Sequence, residues 1–238
     1  MMEFPEDFNQ LELLDTHGHL IPRGVGSQWT GSREEEEEVD EGSHSEEWYL
    51  EKEDALKDRP MELILWAAEN NRLATLLALL RSDPSLVRCR DEDGYTPLHR
   101  AAYGGHLQAA CALLAAGSPV DPRTADGWTP LHSACRWSHA GVASFLLQRG
   151  ARLNAQTNGG LTPLHLAASC GGPARPAAAA AQTLELLLSR RQLRPGLRSG
   201  GGETAGEGAR RSGPHHFLFE MVEDCVSVVP AQQDSCWK

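Results

Sequence analysis

Thr96-Pro97-Leu98-His99, Thr129-Pro130-Leu131-His132 and Thr162-Pro163-Leu164-His165 are one tetrapeptide written three times, at intervals of 33 residues. A fixed period of that size predicts a stack of repeated units. The tetrapeptide itself reads as a helix start. Thr stands where an N-cap is needed, its hydroxyl accepting from an otherwise unpaired N–H. Pro follows at the first helical position, where its missing N–H costs nothing. Leu enters the core. One His per repeat leaves the three too far apart to share a metal ion, so they read as structural.

The period, together with the Ala two residues after each tetrapeptide (Ala101, Ala134 and Ala167), resembles the ankyrin repeat family over about residues 61–226. The resemblance implies an all-α fold, an ankyrin-repeat solenoid of helix–turn–helix pairs with short hairpin loops. It also implies that each His ring bonds its Thr and ties adjacent repeats together, and that partners bind on the concave side.

Taken in order, residues 1–60 read as an acidic, largely disordered region with a short docking helix at 4–15, where Phe4, Phe8, Leu11 and Leu14 fall near helical spacing. That helix either packs on the repeats or folds on a partner. The five glutamates Glu34 to Glu38 cannot bury enough apolar surface to offset ordering entropy. Trp48 and Tyr49 begin a charged, helix-prone stretch ending before Pro60. Residues 61–90 are a degenerate N-capping repeat, 91–123 and 124–156 are full repeats, and 157–197 is a repeat with a loop insertion at 171–181, in which Ala177 to Ala181 either belong to the loop or lengthen the second helix. Residues 198–226 are a degenerate C-capping repeat and 227–238 a free tail. Asp93-Gly94 and Asp126-Gly127 open hairpin turns in which Gly supplies positive φ. Gly117 and Gly150 stand where second helices stop. In the third full repeat the apolar triplet Leu186-Leu187-Leu188 comes eight residues later than the period requires.

The chain has 238 residues and a net charge of −11. Residues 1–60 hold 18 acidic against 5 basic residues, so the negative charge lies there. A basic footprint for direct nucleic-acid binding is absent. No run approaches the ~18 apolar residues that span a bilayer. Met1 to Glu6 shows no basic or apolar signal region, so secretion is not expected. The six cysteines form no C-x-x-C pair and read as reduced thiols of a nuclear or cytoplasmic protein. No nucleophile elbow, phosphate loop or metal-ligand cluster appears, so no enzyme, cofactor or metal is expected.

The concave side implied by the resemblance collects Asp93, Tyr95, Tyr103, Arg123, Asp126, Trp128, Arg136 and Trp137. Tyr, Trp and Arg are the residues enriched at binding hot spots. These are the candidate partner-binding residues. The alternative is that Trp128 and Trp137 pack on each other and on neighbouring hairpins. Asn154 is a candidate for β-hydroxylation, as the family implies for Asn at that hairpin position; the alternative is a turn Asn bonding backbone. Arg190, Arg191, Arg194, Arg198, Arg210 and Arg211 form a basic set that suits an acidic partner, the chain's own acidic run, an import signal, or plain solvation. The function expected is a monomeric, non-enzymatic adaptor for a protein partner. Likeness of the segments 8–22, 126–135 and 142–148 to one small family member implies a nuclear setting connected with gene expression and differentiation. Two other classes fit: a transcription regulator whose acidic, hydrophobic N-terminal segment is the effector, and an assembly chaperone for one client.

Overall fold

The computed structural model describes residues 45–170, 177–212 and 215–220. The expected docking helix at 4–15, the acidic run and the tail at 227–238 lie outside them. Helices come in antiparallel pairs. An added helix α1 (Glu46–Ala55) precedes α2 (Pro60–Glu69) and α3 (Leu73–Ser82). Then follow α4 (Pro97–Gly104) with α5 (Leu107–Ala115), α6 (Pro130–Arg136) with α7 (Ala140–Gln148), and α8 (Pro163–Ala168) with α9 (Ala177–Leu188). Helix α10 (Ala205–Ser212) opens the last unit, and a further helical segment begins at Phe217.

The first helices α2, α4, α6, α8 and α10 pack in sequence, as do the second helices α3, α5, α7 and α9. The core repeats with the sequence. Leu98, Leu131 and Leu164 from the three tetrapeptides are all buried, and so are Leu113 and Leu146 in the second helices. Ala101, Ala134 and Ala167 lie between the first helices, where only a methyl group fits a close approach. Helices α5 and α7 stop by the same device. Gly117 donates to the Leu114 carbonyl and Ser118 to that of Leu113, while Gly150 and Ala151 do the same to Leu147 and Leu146. This closure needs a left-handed residue, and both glycines have φ near +90°.

Each tetrapeptide builds a reciprocal cap. The His99 Nδ1 accepts from the Thr96 N–H at 3.1 Å, and its Nε2–H donates to the Trp128 carbonyl at 3.1 Å. His132 repeats this with Thr129 and Leu161, and His165 with Thr162 and Glu203. A second set of histidines runs the other way. His106 donates to the Glu69 carbonyl at 2.8 Å and His139 to that of Tyr103 at 2.9 Å, so the start of a second helix is tied to the first helix one repeat back.

Residues 46–55 are helix, in the charged, helix-prone stretch that Trp48 and Tyr49 begin. Ser45 caps α1, and Trp48 and Tyr49 stand 6.3 and 6.0 Å from Trp66. Arg72 clamps Glu46 and Glu53, both at 2.7 Å. The apolar pair supplies a docking face that charge content alone hides. Of the two readings of residues 177–181, the helical one holds: they are the first turns of α9. Five consecutive alanines have the strongest intrinsic helix preference.

Candidate functional site

The hairpin tips and the first helices share one face, and the period sets its register. Tyr95, Trp128, Leu161 and Glu203 are equivalent positions, each just before a helix-capping Thr. Tyr103, Arg136, Ser169 and Arg211 are equivalent positions further along the first helices. On the N-terminal half of this face Asp93, Tyr95, Tyr103, Trp128, Arg136 and Trp137 line a groove of about 360 Å3, with Glu69, Arg100 and Ser133. On the C-terminal half Leu161, Ser169, Glu203 and Arg211 line another of about 440 Å3. The face therefore changes from aromatic to polar along the stack.

The aromatic groove is braced from below. The rings of Tyr103 and Trp137 meet edge-on at 4.6 Å, and the Arg136 guanidinium lies 5.8 Å from the Trp137 ring. Arg100 lies 5.2 Å from the Tyr95 ring and donates to Asp91 at 2.7 Å and Glu69 at 3.2 Å. Burial lowers the Arg100 pKa, but its bond to Asp91 and the charge of Glu69 outweigh that and raise it overall. Burial raises the Tyr95 hydroxyl; Arg100 opposes the rise, and the charges of Asp126, Asp93 and Asp91 add to it. Arg136 also reaches the Cys170 Sγ at 3.5 Å, and that thiol donates to the Arg136 carbonyl at 2.7 Å.

Trp128 and Trp137 are half-buried. Their ring partners are His132 at 6.2 Å and Tyr103, and Tyr103 is 39% exposed. Six of the eight candidate partner-binding residues line the groove; Arg123 and Asp126 do not. Arg123 belongs to a ladder between hairpins: Arg90 donates to the Arg123 carbonyl at 2.7 Å, and Arg123 to that of Gln156 at 2.9 Å. The Asp126 carbonyl accepts from the Asn158 N–H at 2.9 Å in the parallel backbone ladder. Arg100 and Ser133 escaped the sequence reading. Each lies three residues before a chosen groove residue, Tyr103 or Arg136, on the same helix face, and that spacing is the signal that finds them.

Asn154 is far from this groove. Its amide donates to the Gln192 carbonyl at 2.7 Å and accepts from the Arg194 N–H at 2.9 Å. The basic set divides as well. Arg190 and Arg191 line another cavity, whereas Arg198 pairs with Glu207, Arg210 with Glu220 and Arg211 with Glu203. The described cysteines 89, 111, 135 and 170 are free thiols. Burial, with a smaller push from Cys170, raises the pKa of Cys135 far above the ordinary thiol value. Among the described residues no helix is long and apolar enough to cross a membrane, and no three metal-ligating side chains cluster.

Stacked helix pairs, hairpins joined edge to edge and threonine–histidine caps at a common period define a repeat solenoid, and the chain belongs to the ankyrin repeat family. The family described as ankyrin repeats (3 copies) matches residues 64–157 and, overlapping them, 119–195. The chain is similar to ankyrin repeat domain-containing protein 49 of Bos taurus and of Homo sapiens. Each is 57% identical over 229 residues, covering 96% of this chain and 92% of the relative. The protein of the same description from Drosophila melanogaster is 46% identical over 52 residues, 22% of this chain and 24% of its own.

Proposed function

We propose that the chain is a non-enzymatic, monomeric adaptor that holds a protein partner on its inner face, through Tyr95, Tyr103, Trp128 and Trp137. The observation that supports this most is the groove of about 360 Å3 bounded by those four rings. Half-buried aromatic side chains lose few rotamers on binding and desolvate readily. The arginines at the base are held by Asp91, Glu69 and the Trp137 ring, so a partner meets a preformed surface. Asp93 contributes a carboxylate at the rim. The nuclear, gene-regulatory setting that the sequence resemblance implies belongs to the same proposal. Imaging the tagged chain in differentiating cells tests it, and exclusion from the nucleus removes that part.

The binding test compares partners captured by proximity labelling with the wild type and with Trp128→Ala/Trp137→Ala, after circular dichroism shows both folded. Loss of each Trp costs about 2 kcal/mol of affinity. The expected result is a set of partners lost in the variant alone. An unchanged set rules out the groove as the contact surface.

A further inference from the structure

Between α7 and the loop that follows α9 lies a third cavity, of about 840 Å3. Leu147, Leu153 and Ala155 give it an apolar floor, and four arginines, Arg123, Arg152, Arg190 and Arg191, stand around it. None of the residues lining it is acidic. Asp121 faces it from outside and is paired with Arg152 at 3.2 Å. Arg190 and Arg191 have no ion pair among the described residues, and the buried Nε of Arg190 has no hydrogen-bond partner.

The loop carrying these arginines is pinned by the repeat itself. Asp121 and Asn154 are equivalent positions, 33 residues apart. The Asp121 carboxylate accepts from the Arg152 N–H at 3.0 Å, and the Asn154 amide oxygen from the Arg194 N–H at 2.9 Å. Asn154 also donates to the Gln192 carbonyl at 2.7 Å, next to Arg191. Asn154 is thus a positioning residue for an arginine-lined groove.

We infer that this groove is a docking site for an acidic peptide segment of a protein partner. Its carboxylates take paired N–H bonds from Arg190 and Arg191, and its apolar side chain rests on Leu147 and Leu153. Guanidinium–carboxylate pairs are the strong, geometrically specific form of such contacts. Charge complementarity selects the acidic class. The apolar floor argues against nucleic acid, which presents phosphates and no aliphatic side chain.

The test is fluorescence anisotropy of the full chain with a labelled peptide of Glu-Glu-Leu repeats, at low and at physiological salt. The wild type is expected to bind, more weakly as salt rises. Arg190→Gln/Arg191→Gln is expected to bind roughly tenfold more weakly. Arg81→Gln/Arg88→Gln removes the same charge from exposed residues of the first repeat and is expected to change binding by less than about twofold. Asn154→Ala is expected to fall between these pairs, with helix content unchanged. If Arg190→Gln perturbs folding by circular dichroism, Arg152→Gln/Arg191→Gln carries the same comparison, since the Arg152 side chain is 63% exposed. No binding by the wild type, equal losses in the groove and control pairs, or displacement of the peptide by duplex DNA of matched charge overturns the proposal. Trp137→Ala, which tests the aromatic face, is expected to leave this binding unchanged, so the two sites stand or fall separately.

Discussion

His132 at the start of α6 and Glu207 at the start of α10 occupy equivalent places in their repeats, yet only His132 is a link. His132 caps its own helix through Nδ1 and reaches the next hairpin, at Leu161, through Nε2. Glu207 keeps the first task alone. Its carboxylate accepts from the Thr204 N–H at 2.8 Å, and the Thr204 hydroxyl accepts from the Glu207 N–H at 3.3 Å. Thr204-Ala205-Gly206-Glu207 is therefore a capping box of the S/T-x-x-E kind standing where the inner repeats have T-P-L-H. The last unit receives a bond from His165 at its Glu203 carbonyl, and among the described residues Glu207 has no onward bond like that of His132. Capping a helix and joining repeats are separable tasks, and His is needed only where both are done.

Acid should break this comparison most strongly. Burial holds His99 and His132 neutral, with pKa values of about 4 against 6.5 when exposed. Protonation would also set a new N–H at Nδ1 against the capping threonine's N–H. Because the folded values are depressed, their stabilisation is complete above pH 6.5 and is lost as pH falls toward 4. At about 1.4 kcal/mol per pH unit the loss is roughly 3 kcal/mol for each. Urea midpoints between pH 7 and 4 measure it, and a flat profile above pH 5 contradicts it. Replacing His132 with Gln puts an amide in place of the ring; destabilisation of about 2–3 kcal/mol is expected, since two buried partners lose their bonds. Glu207 weakens in the same direction, but in a lower pH window. Its backbone bond to Thr204 lowers its pKa, so its contribution persists well into the acid range and the last unit should keep its cap where the inner links weaken.

A smaller effect tests the cap of the last unit alone. Thr204→Ala removes the hydroxyl acceptor and is expected to cost about 1 kcal/mol. In a solenoid each unit contacts only its neighbours, so the loss should appear as faster amide exchange in α10 and leave α4 and α6 unchanged. Faster exchange throughout would mean that the stack unfolds as one unit and that the last unit cannot be treated as a separable end.

How much of this was legible follows the same division. The inner repeats were readable because T-P-L-H, the D-G turns and the terminal glycines are local devices, each visible within a few residues. The groove was half readable. Tyr95, Trp128 and Trp137 stood out by residue type, whereas Arg100 and Ser133 needed the helix spacing to be applied to them. Arg123 belongs elsewhere than the aromatic groove: its guanidinium spans 33 residues to the Gln156 carbonyl, and it lines the arginine-rich cavity. The arginine-lined cavity was legible only in its rim, since Arg190 and Arg191 stood in the basic set that suits an acidic partner. Its floor comes from residues near 150 and its rim from residues near 190, and the inserted residues between them put the two out of period. Thr204 to Glu207 was legible in principle, since the capping box is a sequence pattern, but Ala205 stands where the inner repeats have proline.

The smallest prediction concerns the two glycines that weaken α10. Gly208 has open space around the position a Cβ would take, and Gly206 would place one 3.4 Å from the Phe219 ring. Both lie inside a helix, where Gly is disfavoured against Ala by about 1 kcal/mol. Gly208→Ala should therefore stabilise the last unit by nearly that amount, slowing amide exchange in α10. Gly206→Ala should gain less, because Phe219 must give way slightly, and the difference between the two reports whether the segment from Phe217 packs on α10 as described. Equal gains would mean that Phe219 is not held against Gly206. A loss on Gly208→Ala would mean that the last unit needs a pliant helix, and the comparison with the rigidly linked inner repeats would then extend from how the helices are capped to how stiff they are.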